Sequence, residues 1–372
     1  MKIAILGARG IPAAYSGYDT LAEGLCLGLR KGGTTQVLVY CRRSYYRERP
    51  RTVHGAELVY LPAPRLKALE SLLHSFLSAL HVLGQGVDVI YFLDPANAPF
   101  CLMLRLLGKR VVVHTDGLGW KRGKWGPVAR RYYKWVEWLC ARSATALVTD
   151  NPFMTDYYRR TYGRSSVYIP YGAEHHAGLD PSIQAALGIR PRKYLLVVAR
   201  LEAENNTDLI ITEYRRTGID LPLVIVGDAP YDPAYLARLR SLADRRVVFA
   251  GRINDQGQLN ALYRDAYLYI HGHEVGGTNP SLLRAMHHGV APLVVDVSFN
   301  VAVIGDCGYV FEKRAGHLAE VLDRLAGQAA DVRKTGERAR ERTKDLFTWE
   351  AVVRDHEHLF RSLLPPEEAG RG

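Results

Sequence analysis

The feature that most restricts the fold of this chain is a pattern of short apolar runs that alternate with longer helical segments. Strands are predicted in the first half at Lys2–Leu6, Gln36–Tyr40, Glu57–Leu61, Asp88–Phe92, Arg110–His114, Thr145–Val148 and Val167–Ile169. The pattern then restarts, with strands predicted at Tyr194–Val198, Leu223–Val226, Val247–Ala250, Ala266–Ile270 and Ala291–Val295. Continuous apolar strands between helices indicate a parallel sheet covered on both faces. The chain is therefore predicted to be an α/β protein with two doubly wound, Rossmann-like domains that face a central cleft.

The boundary between the two domains is predicted in the segment Ile169–Pro191, which contains several prolines and glycines. A length of 372 residues fits two domains of this kind. We expect an N-terminal domain at residues 1–172 and a C-terminal domain at residues 173–345. Residues 346–372 are predicted to form a C-terminal helix that packs back on the N-terminal domain.

The net charge of +11 is concentrated in the first domain. Residues 1–172 contain 24 Lys and Arg against 11 Asp and Glu, whereas the rest of the chain has a net charge of −2. This asymmetry predicts an acidic partner for the first domain. The candidate partners are an anionic membrane surface, a phosphorylated acceptor and nucleic acid.

Composition also disfavours several classes of protein. The five cysteines have no disulfide or metal-ligand spacing, so we expect buried free thiols in a reducing cytosol and no metal. The opening MKIAILGARG does not have the pattern of a signal peptide. No run approaches the ~20 apolar residues that span a bilayer. We therefore expect a cytoplasmic protein.

An apolar stripe with helical spacing runs through a helix predicted at Lys67–Leu83. Its members are Leu69, Leu72, Leu73, Phe76, Leu77, Leu80 and Leu83. We interpret this stripe as the face that packs on the sheet. The alternative is a helix whose apolar face contacts a membrane.

The loop after the first strand contains Gly7, Gly10 and Gly17. Glycines at this point allow the backbone to approach a ligand closely, or they form a tight turn. Arg9 could supply a cation to a phosphate. The spacing is neither GxGxxG nor that of a Walker A motif, so neither a dinucleotide site nor a nucleotide triphosphate site is indicated.

A second candidate site is the sequence HEVGGTNPSLL, which follows a strand and opens a helix. Thr278 or Asn279 can cap this helix, and Pro280 suits its first position. The glycines Gly276 and Gly277 leave backbone N–H groups uncovered, so this helix N-terminus can receive a diphosphate. A well-capped helix without a ligand is the alternative.

Two further strand ends carry charged side chains. Arg200 ends the first strand of the second domain and precedes Asn205 and Asn206. Arginine binds phosphate oxygens bidentately, although a surface salt bridge is the competing interpretation. In the first domain, His114 and Asp116 end another strand, and a carboxylate there could orient a sugar hydroxyl or act as a base.

Basic and aromatic residues alternate after this strand. They are Trp120, Lys121, Arg122, Lys124, Trp125, Arg130, Arg131, Tyr132, Tyr133, Lys134, Trp135 and Trp138. Such a mixture is typical of a surface that meets anionic lipid. A solvated helix face is the alternative, and stacking on nucleic-acid bases is a weaker one.

Together these stretches resemble retaining glycosyltransferases of family 4, within a bacterial rhamnosyltransferase-like branch. The resemblance is carried by GARGIPAAYSGYDTLAE near the start, DGLGWKRGKW, IPYGA, VARLEAENNTDLII and YIHGHEVGGTNPSLLRAM, in this order. It implies a GT-B fold and metal-independent transfer with retention. It also implies that the second domain binds the donor and the first domain binds the acceptor, without any bound cofactor.

The resemblance also implies roles for particular residues. Asp116 falls where many relatives carry a histidine beside the sugar, so Asp116 and Arg200 are the predicted catalytic residues. The predicted donor-binding residues are Gly10, Gly17, Arg200, Asn205, Asn206, Gly276, Gly277, Thr278, Asn279 and Arg284. The predicted acceptor or membrane face comprises Arg9, Tyr18, Trp120, Lys121, Arg122, Lys124 and Trp125.

This chain departs from the family pattern at three positions. The broader family has two glutamates separated by seven residues, where this chain has Gly276 and Arg284. Many relatives have a lysine where Asn205 stands. The rhamnosyltransferase-like branch usually keeps glutamate at the position of Arg284, which the resemblance associates with the nucleotide ribose. Glu274 is a candidate substitute.

The leading hypothesis is a glycosyltransferase of bacterial surface polysaccharide synthesis that moves L-rhamnose from dTDP-rhamnose to a glycan or lipid-linked sugar. It would be cytoplasmic and peripheral on the inner face of the cell membrane. A catalytically silent homologue that binds a sugar nucleotide or a partner is the alternative, supported by Arg284. A nucleic-acid-binding protein rests on charge alone, so we expect no nucleic-acid partner.

Overall fold

The computed structural model describes residues 1–13, 16–33, 35–63, 69–121, 126–173, 178–229 and 232–365 of the chain. These residues form two compact units. The first unit contains most of residues 1–172 together with residues 349–365, and the second contains most of residues 173–348.

The first unit is built on an eight-stranded sheet. Its strands are β1 (Lys2–Leu6), β2 (Gln36–Arg42), β3 (Thr52–Val53), β4 (Ala56–Leu61), β5 (Val89–Leu93), β6 (Val111–Thr115), β7 (Ala146–Thr149) and β8 (Val167–Tyr168). Its first five helices are α1 (Gly17–Gly32), α2 (Leu69–Val82), α3 (Ala98–Leu106), α4 (Pro127–Ser143) and α5 (Pro152–Tyr162). The strand order is β3-β4-β2-β1-β5-β6-β7-β8, and within the described residues only the β3–β4 pair is antiparallel.

One face of this sheet is covered by α2, α3, α4 and α5. Alternate strand residues such as Leu6, Phe92 and Val113 pack there against buried residues of these helices. This arrangement is the one expected for parallel strands that alternate with crossover helices.

The interpretation of the apolar stripe of α2 as its sheet-facing side is wrong. Leu73, Phe76 and Leu80 have 40–45% of their surface exposed, whereas His74 and Ser78 on the other side are fully buried. On the buried side, the hydroxyl of Ser78 donates a hydrogen bond of 2.7 Å to the carbonyl of His74. The apolar side of α2 therefore faces outward.

The second unit has a six-stranded, fully parallel sheet in the order β11-β10-β9-β12-β13-β14. Its strands are β9 (Leu195–Val198), β10 (Leu223–Val226), β11 (Val247–Gly251), β12 (Leu268–His271), β13 (Pro292–Val295) and β14 (Tyr309–Phe311). Its helices are α6 (Ser182–Ala186), α7 (Thr207–Arg215), α8 (Pro233–Leu242), α9 (Gln256–Arg264), α10 (Pro280–His287), α11 (Ser298–Ile304), α12 (His317–Ala326) and α13 (Ala329–Leu346). The twelve predicted strands are confirmed, and β3 and β14 were not predicted.

The last helix, α14 (Trp349–Ser362), packs on α1 in the first unit. Two glycines of α1, one turn apart, allow the two helices to approach closely. A methyl group on Gly24 would overlap the Trp349 ring, and one on Gly28 would overlap Val353. The hydroxyl of Thr35 also donates a 3.1 Å hydrogen bond to Glu357. The first unit is therefore assembled from two separate stretches of the chain.

Candidate functional site

Arg200 lies just after β9, where the parallel strands of the second unit end. Its side chain is 40% exposed and pairs with Glu202 at 3.5 Å between Nη1 and Oε1. The exposure leaves the guanidinium accessible, and an ion pair of this length and exposure contributes little to stability. The predicted phosphate-binding role and the salt bridge are thus compatible with each other.

Asn205 and Asn206 join the loops that follow β9 and β12. The amide of Asn205 donates a 2.6 Å hydrogen bond to the carbonyl of Arg200. The amide of Asn206 donates to the carbonyl of Gly272 at 2.7 Å and to Glu274 at 3.2 Å. These side chains are therefore engaged with the protein itself, and they hold Arg200 beside the loop after β12.

The start of α10 has the predicted capped geometry. Asn279 is the capping residue, and its side chain accepts a hydrogen bond of 3.1 Å from the backbone N–H of Ser281, while Pro280 occupies the first helical position. Within the described residues, the N–H groups of Gly276 and Gly277 have no hydrogen-bond partner. The positive end of the helix dipole and these free donors can together receive an anion.

Two histidines lie at and just after the end of β12, and no role was predicted for either from the sequence, although His273 begins the second candidate stretch. The rings of His271 and His273 stack with centroids 4.3 Å apart, and His271 Nδ1 lies 3.1 Å from the hydroxyl of Tyr269. Burial and the positive charge of Arg200 lower the pKa of His273 to about 3, so His273 is neutral beside that arginine. In the sequence, the only indication of this pair is the run His-Gly-His at the end of a predicted strand.

Arg284 does not join this group. Its guanidinium is buried on α10 and donates to Asn260 Oδ1 at 2.9 and 2.5 Å and to Gln256 Oε1 at 2.8 Å. It also lies 5.4 Å from the centroid of the Tyr263 ring. Burial lowers the pKa of Arg284 to about 10, which still leaves the group charged at neutral pH. Its donor-binding role stays a prediction.

Replacing Arg284 with alanine should lower the free energy of unfolding by about 2–4 kcal/mol. The substitution leaves Asn260 and Gln256 without their donor and removes a buried side chain. Urea denaturation of the full chain measures the change. The exposed Arg333 of α13 provides the control, since its replacement should cost about 0.5 kcal/mol or less. Equal stability of the two variants would contradict the conclusion that the hydrogen bonds of Arg284 to Asn260 and Gln256 stabilise this unit.

In the first unit, the predicted glycine loop packs tightly against β2. Gly10 has a φ of +130°, and a Cβ there would lie 2.5 Å from Cys41 Sγ, so this position requires glycine. The backbone N–H of Arg9 donates to Asp19 at 2.9 Å, and the Arg9 guanidinium lies 5.2 Å from the Tyr45 ring centroid. Gly17 is the first residue of α1.

Tyr18 and Asp116 come together at the carboxyl end of β6. Burial and the carboxylates of Asp116 and Asp94 raise the pKa of Tyr18, so its phenol stays protonated. Asp94, at the end of β5, has a φ of +96° and accepts a 2.8 Å hydrogen bond from the N–H of Ala96. Backbone strain of this kind clusters at functional sites, but no local sequence pattern identifies Asp94 as a site residue.

Beneath these residues, three buried side chains form a hydrogen-bonded chain. His356 Nδ1 lies 2.8 Å from the carbonyl of Val352, which fixes the proton on that nitrogen because a carbonyl only accepts. His356 Nε2 must then accept from the Tyr91 hydroxyl at 2.9 Å. The Tyr91 oxygen in turn accepts from His114 Nδ1 at 2.8 Å. Burial lowers the pKa of His114 to about 3 and that of His356 to about 4, so both rings are neutral.

This chain fixes the tautomer of His114, whose Nε2 is left without a proton. The rings of Tyr18 and Tyr171 lie edge-on to His114, with centroids at 5.9 and 5.6 Å. Helix α14 thus supplies one member of the polar network behind Asp116.

The other predicted residues of this face lie beyond β6. Trp120 and Lys121 end a short 3₁₀-helix, and the Lys134 ammonium lies 4.2 Å from the Trp120 ring centroid. Arg122, Lys124 and Trp125 lie outside the described residues.

The described residues contain no group of three or more His, Cys, Asp or Glu that could hold a metal ion. The five cysteines are free and buried, as predicted. No helix in the described part of the chain is long and apolar enough to cross a membrane.

Two family models match the chain. Residues 192–328 match the model described as Glycosyl transferases group 1, and residues 1–174 match a Domain of unknown function (DUF1972). The solved structure of sucrose-phosphate synthase from Thermosynechococcus elongatus superposes with a TM-score of 0.80 at 19% identity, covering 97% of this chain and 98% of that one. HepE of Anabaena in complex with UDP and glucose has a TM-score of 0.75 at 14% identity, covering 97% and 100%. The fold is GT-B, and residues 192–328 of the second unit match a glycosyltransferase family model.

Two curated relatives are similar over part of their length. N-acetyl-alpha-D-glucosaminyl L-malate synthase of Bacillus anthracis is 31% identical over 161 residues, which is 42% of this chain and 41% of the relative. D-rhamnosyltransferase WbpZ of Pseudomonas aeruginosa is 24% identical over 212 residues, which is 56% and 49%. The matches thus span less than half of each relative.

Proposed function

We propose that this protein transfers a sugar from a nucleotide diphosphate donor to a glycan or lipid-linked acceptor, with retention and without a metal ion. The observation that carries this proposal is the anion-binding arrangement in the second unit. Within the described part of the chain, the backbone N–H groups of Gly276 and Gly277 are unpaired. Together with the exposed Arg200 and the start of α10, they offer positive charge and hydrogen-bond donors at the strand ends. A diphosphate fits such an arrangement.

The proposed chemistry is electrostatic. The bond between sugar C1 and the diphosphate oxygen breaks while the acceptor oxygen bonds to C1 on the same face. The acceptor proton passes to the departing phosphate oxygen. Arg200 and the backbone donors stabilise the charge that develops on the diphosphate, which takes the place of a metal ion. Asp116 is proposed to contact the transferred sugar or the acceptor hydroxyl, with Tyr18 beside it.

For the donor, L-rhamnose from dTDP-rhamnose is our first choice, with bacterial surface polysaccharide synthesis as the setting. The similarity to a D-rhamnosyltransferase supports a deoxyhexose donor, whereas the complexes of HepE with UDP and UDP-glucose support a uridine donor. Gly10, Gly17, Asn205, Asn206, Thr278 and Asn279 remain proposed donor residues.

A catalytically silent sugar-nucleotide-binding homologue is the second candidate, and Arg284 favours it. The guanidinium occupies the place where the family resemblance implies a ribose-binding glutamate, and it is fully engaged with α9. Under this hypothesis, a nucleotide binds weakly and Arg284→Glu strengthens the binding.

Calorimetry of the full chain with dTDP-rhamnose, UDP-glucose and GDP-mannose, each with and without EDTA, tests the proposal. We expect one nucleotide class to bind equally in both conditions, and the bound donor is then used for transfer assays with product anomer analysis by NMR. Loss of binding in EDTA would overturn metal independence. Binding without transfer to any of a panel of lipid-linked sugars, together with a gain in affinity for Arg284→Glu, would favour the silent homologue.

A further inference from the structure

Exposed apolar side chains are concentrated on three adjacent helices of the first unit. Among the described residues, sixteen large hydrophobic side chains are exposed, and ten of them lie on α2, α3 and α4 or directly after α3. These ten are Leu73, Phe76, Leu80, Leu102, Leu106, Leu107, Val128, Tyr132, Trp135 and Trp138. We call this surface the α2–α4 face. The clustering is unusual, since exposed apolar residues of a soluble domain are normally scattered.

The three helices form one layer. They cover the same face of the eight-stranded sheet, and the ring centroids of Phe76 on α2 and Phe100 on α3 lie 6.0 Å apart. The layer turns its apolar stripe outward even on α2, where buried His74 and Ser78 occupy the side toward the sheet. Packing within the unit therefore does not account for the α2–α4 face.

The charge on α3, α4 and the segment between them is almost entirely positive, since residues 95–145 contain ten Lys and Arg and two Asp and Glu. Of the two acids, Glu137 is buried and accepts hydrogen bonds of 2.6 Å from the hydroxyls of Tyr157 and Tyr162, and Asp116 lies at the end of β6. Helix α2 has one acid, Glu70, which pairs with Arg42 at 3.3 Å between Oε1 and Nη1. Exposed cations on α3 and α4 are Arg105, Arg130, Arg131, Lys134 and Arg142.

The cations and rings of α4 are arranged together. The Arg142 guanidinium lies 4.9 Å from the Trp138 ring centroid, and the exposed Trp135 packs on Tyr132 with centroids 6.0 Å apart. Tryptophan and tyrosine favour the interface between water and lipid, and Lys and Arg favour anionic headgroups. Nucleic acid would use the cations and rings, but the leucines of α2 and α3 have no role in phosphate binding.

We propose that the α2–α4 face docks on an anionic membrane, with Leu106, Trp135 and Trp138 entering the headgroup region and the cations of α3 and α4 on lipid phosphates. This inference rests on the proposed function in one respect: docking would bring the enzyme to a lipid-linked acceptor. The contact itself depends on the apolar and basic side chains of the first unit.

Vesicle flotation of the full chain tests this docking. Phosphatidylcholine vesicles with 30% phosphatidylserine should bind the protein at least about tenfold more tightly than pure phosphatidylcholine, and 0.5 M NaCl should abolish most of the difference. Trp135→Ala with Leu106→Ser, and separately Arg130→Glu with Arg131→Glu, should each weaken binding about tenfold or more. The controls are Leu346→Ser and Arg333→Glu on α13, where both residues are exposed; these variants should bind like the unmodified chain.

Three results would overturn the docking proposal. These are no preference for the anionic vesicles, equal binding by the face variants and the control variants, or binding of single-stranded RNA that the face variants lose while vesicle binding persists. The same preparations are titrated with the nucleotide sugars. Intact nucleotide binding without vesicle binding removes only the docking proposal, whereas vesicle binding without nucleotide binding removes only the proposed function.

Discussion

Replacing Arg200 with alanine is expected to lower kcat for sugar transfer by about 10²–10³-fold, the loss typical of one removed stabiliser of developing negative charge. Arg200 is the exposed cation at the end of β9, and it is held there by Asn205, whose amide bonds its carbonyl. Because the phosphate charge grows as the sugar–phosphate bond breaks, the effect should fall more on kcat than on KM.

Steady-state kinetics with the donor found by calorimetry measure this effect. Arg200→Lys should recover part of the rate, because lysine keeps the charge but cannot bind two phosphate oxygens in parallel. The control is Arg216→Ala, which removes an arginine of similar exposure directly after α7. Since the Arg200 side chain is 40% exposed, the unfolding midpoint of the variant should be unchanged. A full rate in Arg200→Ala would remove this residue from the proposed mechanism.

Mild acid should unfold this protein, because both units bury neutral histidines. Among the described residues, burial lowers the pKa of six histidines below the value of about 6.5 that holds in the unfolded chain. They are His74, His114 and His356 in the first unit and His271, His273 and His288 in the second. Five of these pKa values are about 3 or about 4. For each group the stability is complete above pH 6.5 and falls as the pH drops toward the native pKa, because only the unfolded chain takes up the proton.

Each of these histidines can contribute up to about 1.4 kcal/mol per pH unit, so three in one unit give a limit of about 4 kcal/mol per pH unit. Domain stabilities are about 5–15 kcal/mol, so unfolding is expected between about pH 6 and pH 4. Buried Asp19 and Glu137 have raised pKa values and offset part of this loss at the acid end.

Ellipticity and tryptophan fluorescence measured from pH 8 to pH 4 follow this transition. His74→Leu should flatten the pH dependence by removing one buried titrating group, and its gain in stability should be larger at pH 5 than at pH 8. The control is His358→Leu on the exposed side of α14, which should leave the pH dependence unchanged. A stability that does not change between pH 7 and pH 5 would contradict the burial of neutral histidines.

The strand pattern was predictable from the sequence because buried parallel strands are apolar without interruption. The runs at β1 and β9 have this character. Strand β3 has two residues and β14 has three, and runs this short are indistinguishable from loops in the sequence. The capped start of α10 was also predictable, because Asn279 and Pro280 act on their immediate neighbours.

Features that depend on distant residues were not predictable. The spacing of leucines identified the apolar side of α2, but spacing contains no information about which side the sheet covers. The bond from Asn206 to Gly272 joins residues 66 positions apart. Tyr91 and His356 are separated by 265 positions, so the tautomer of His114 depends on a contact that no local pattern reports.

The position of α14 in the chain also determines the order in which the protein can be completed. During synthesis the whole second unit emerges from the ribosome before Trp349 and Val353. These two residues fill the glycine-lined surface of α1. Until then, Tyr91 lacks its hydrogen-bond partner His356. The glycine-lined surface of α1 also stays uncovered, although the eight-stranded sheet of this unit has already been synthesised. The unit synthesised first is therefore the last to reach its final state, and a nascent chain stalled anywhere before residue 349 would present it to chaperones and proteases incomplete.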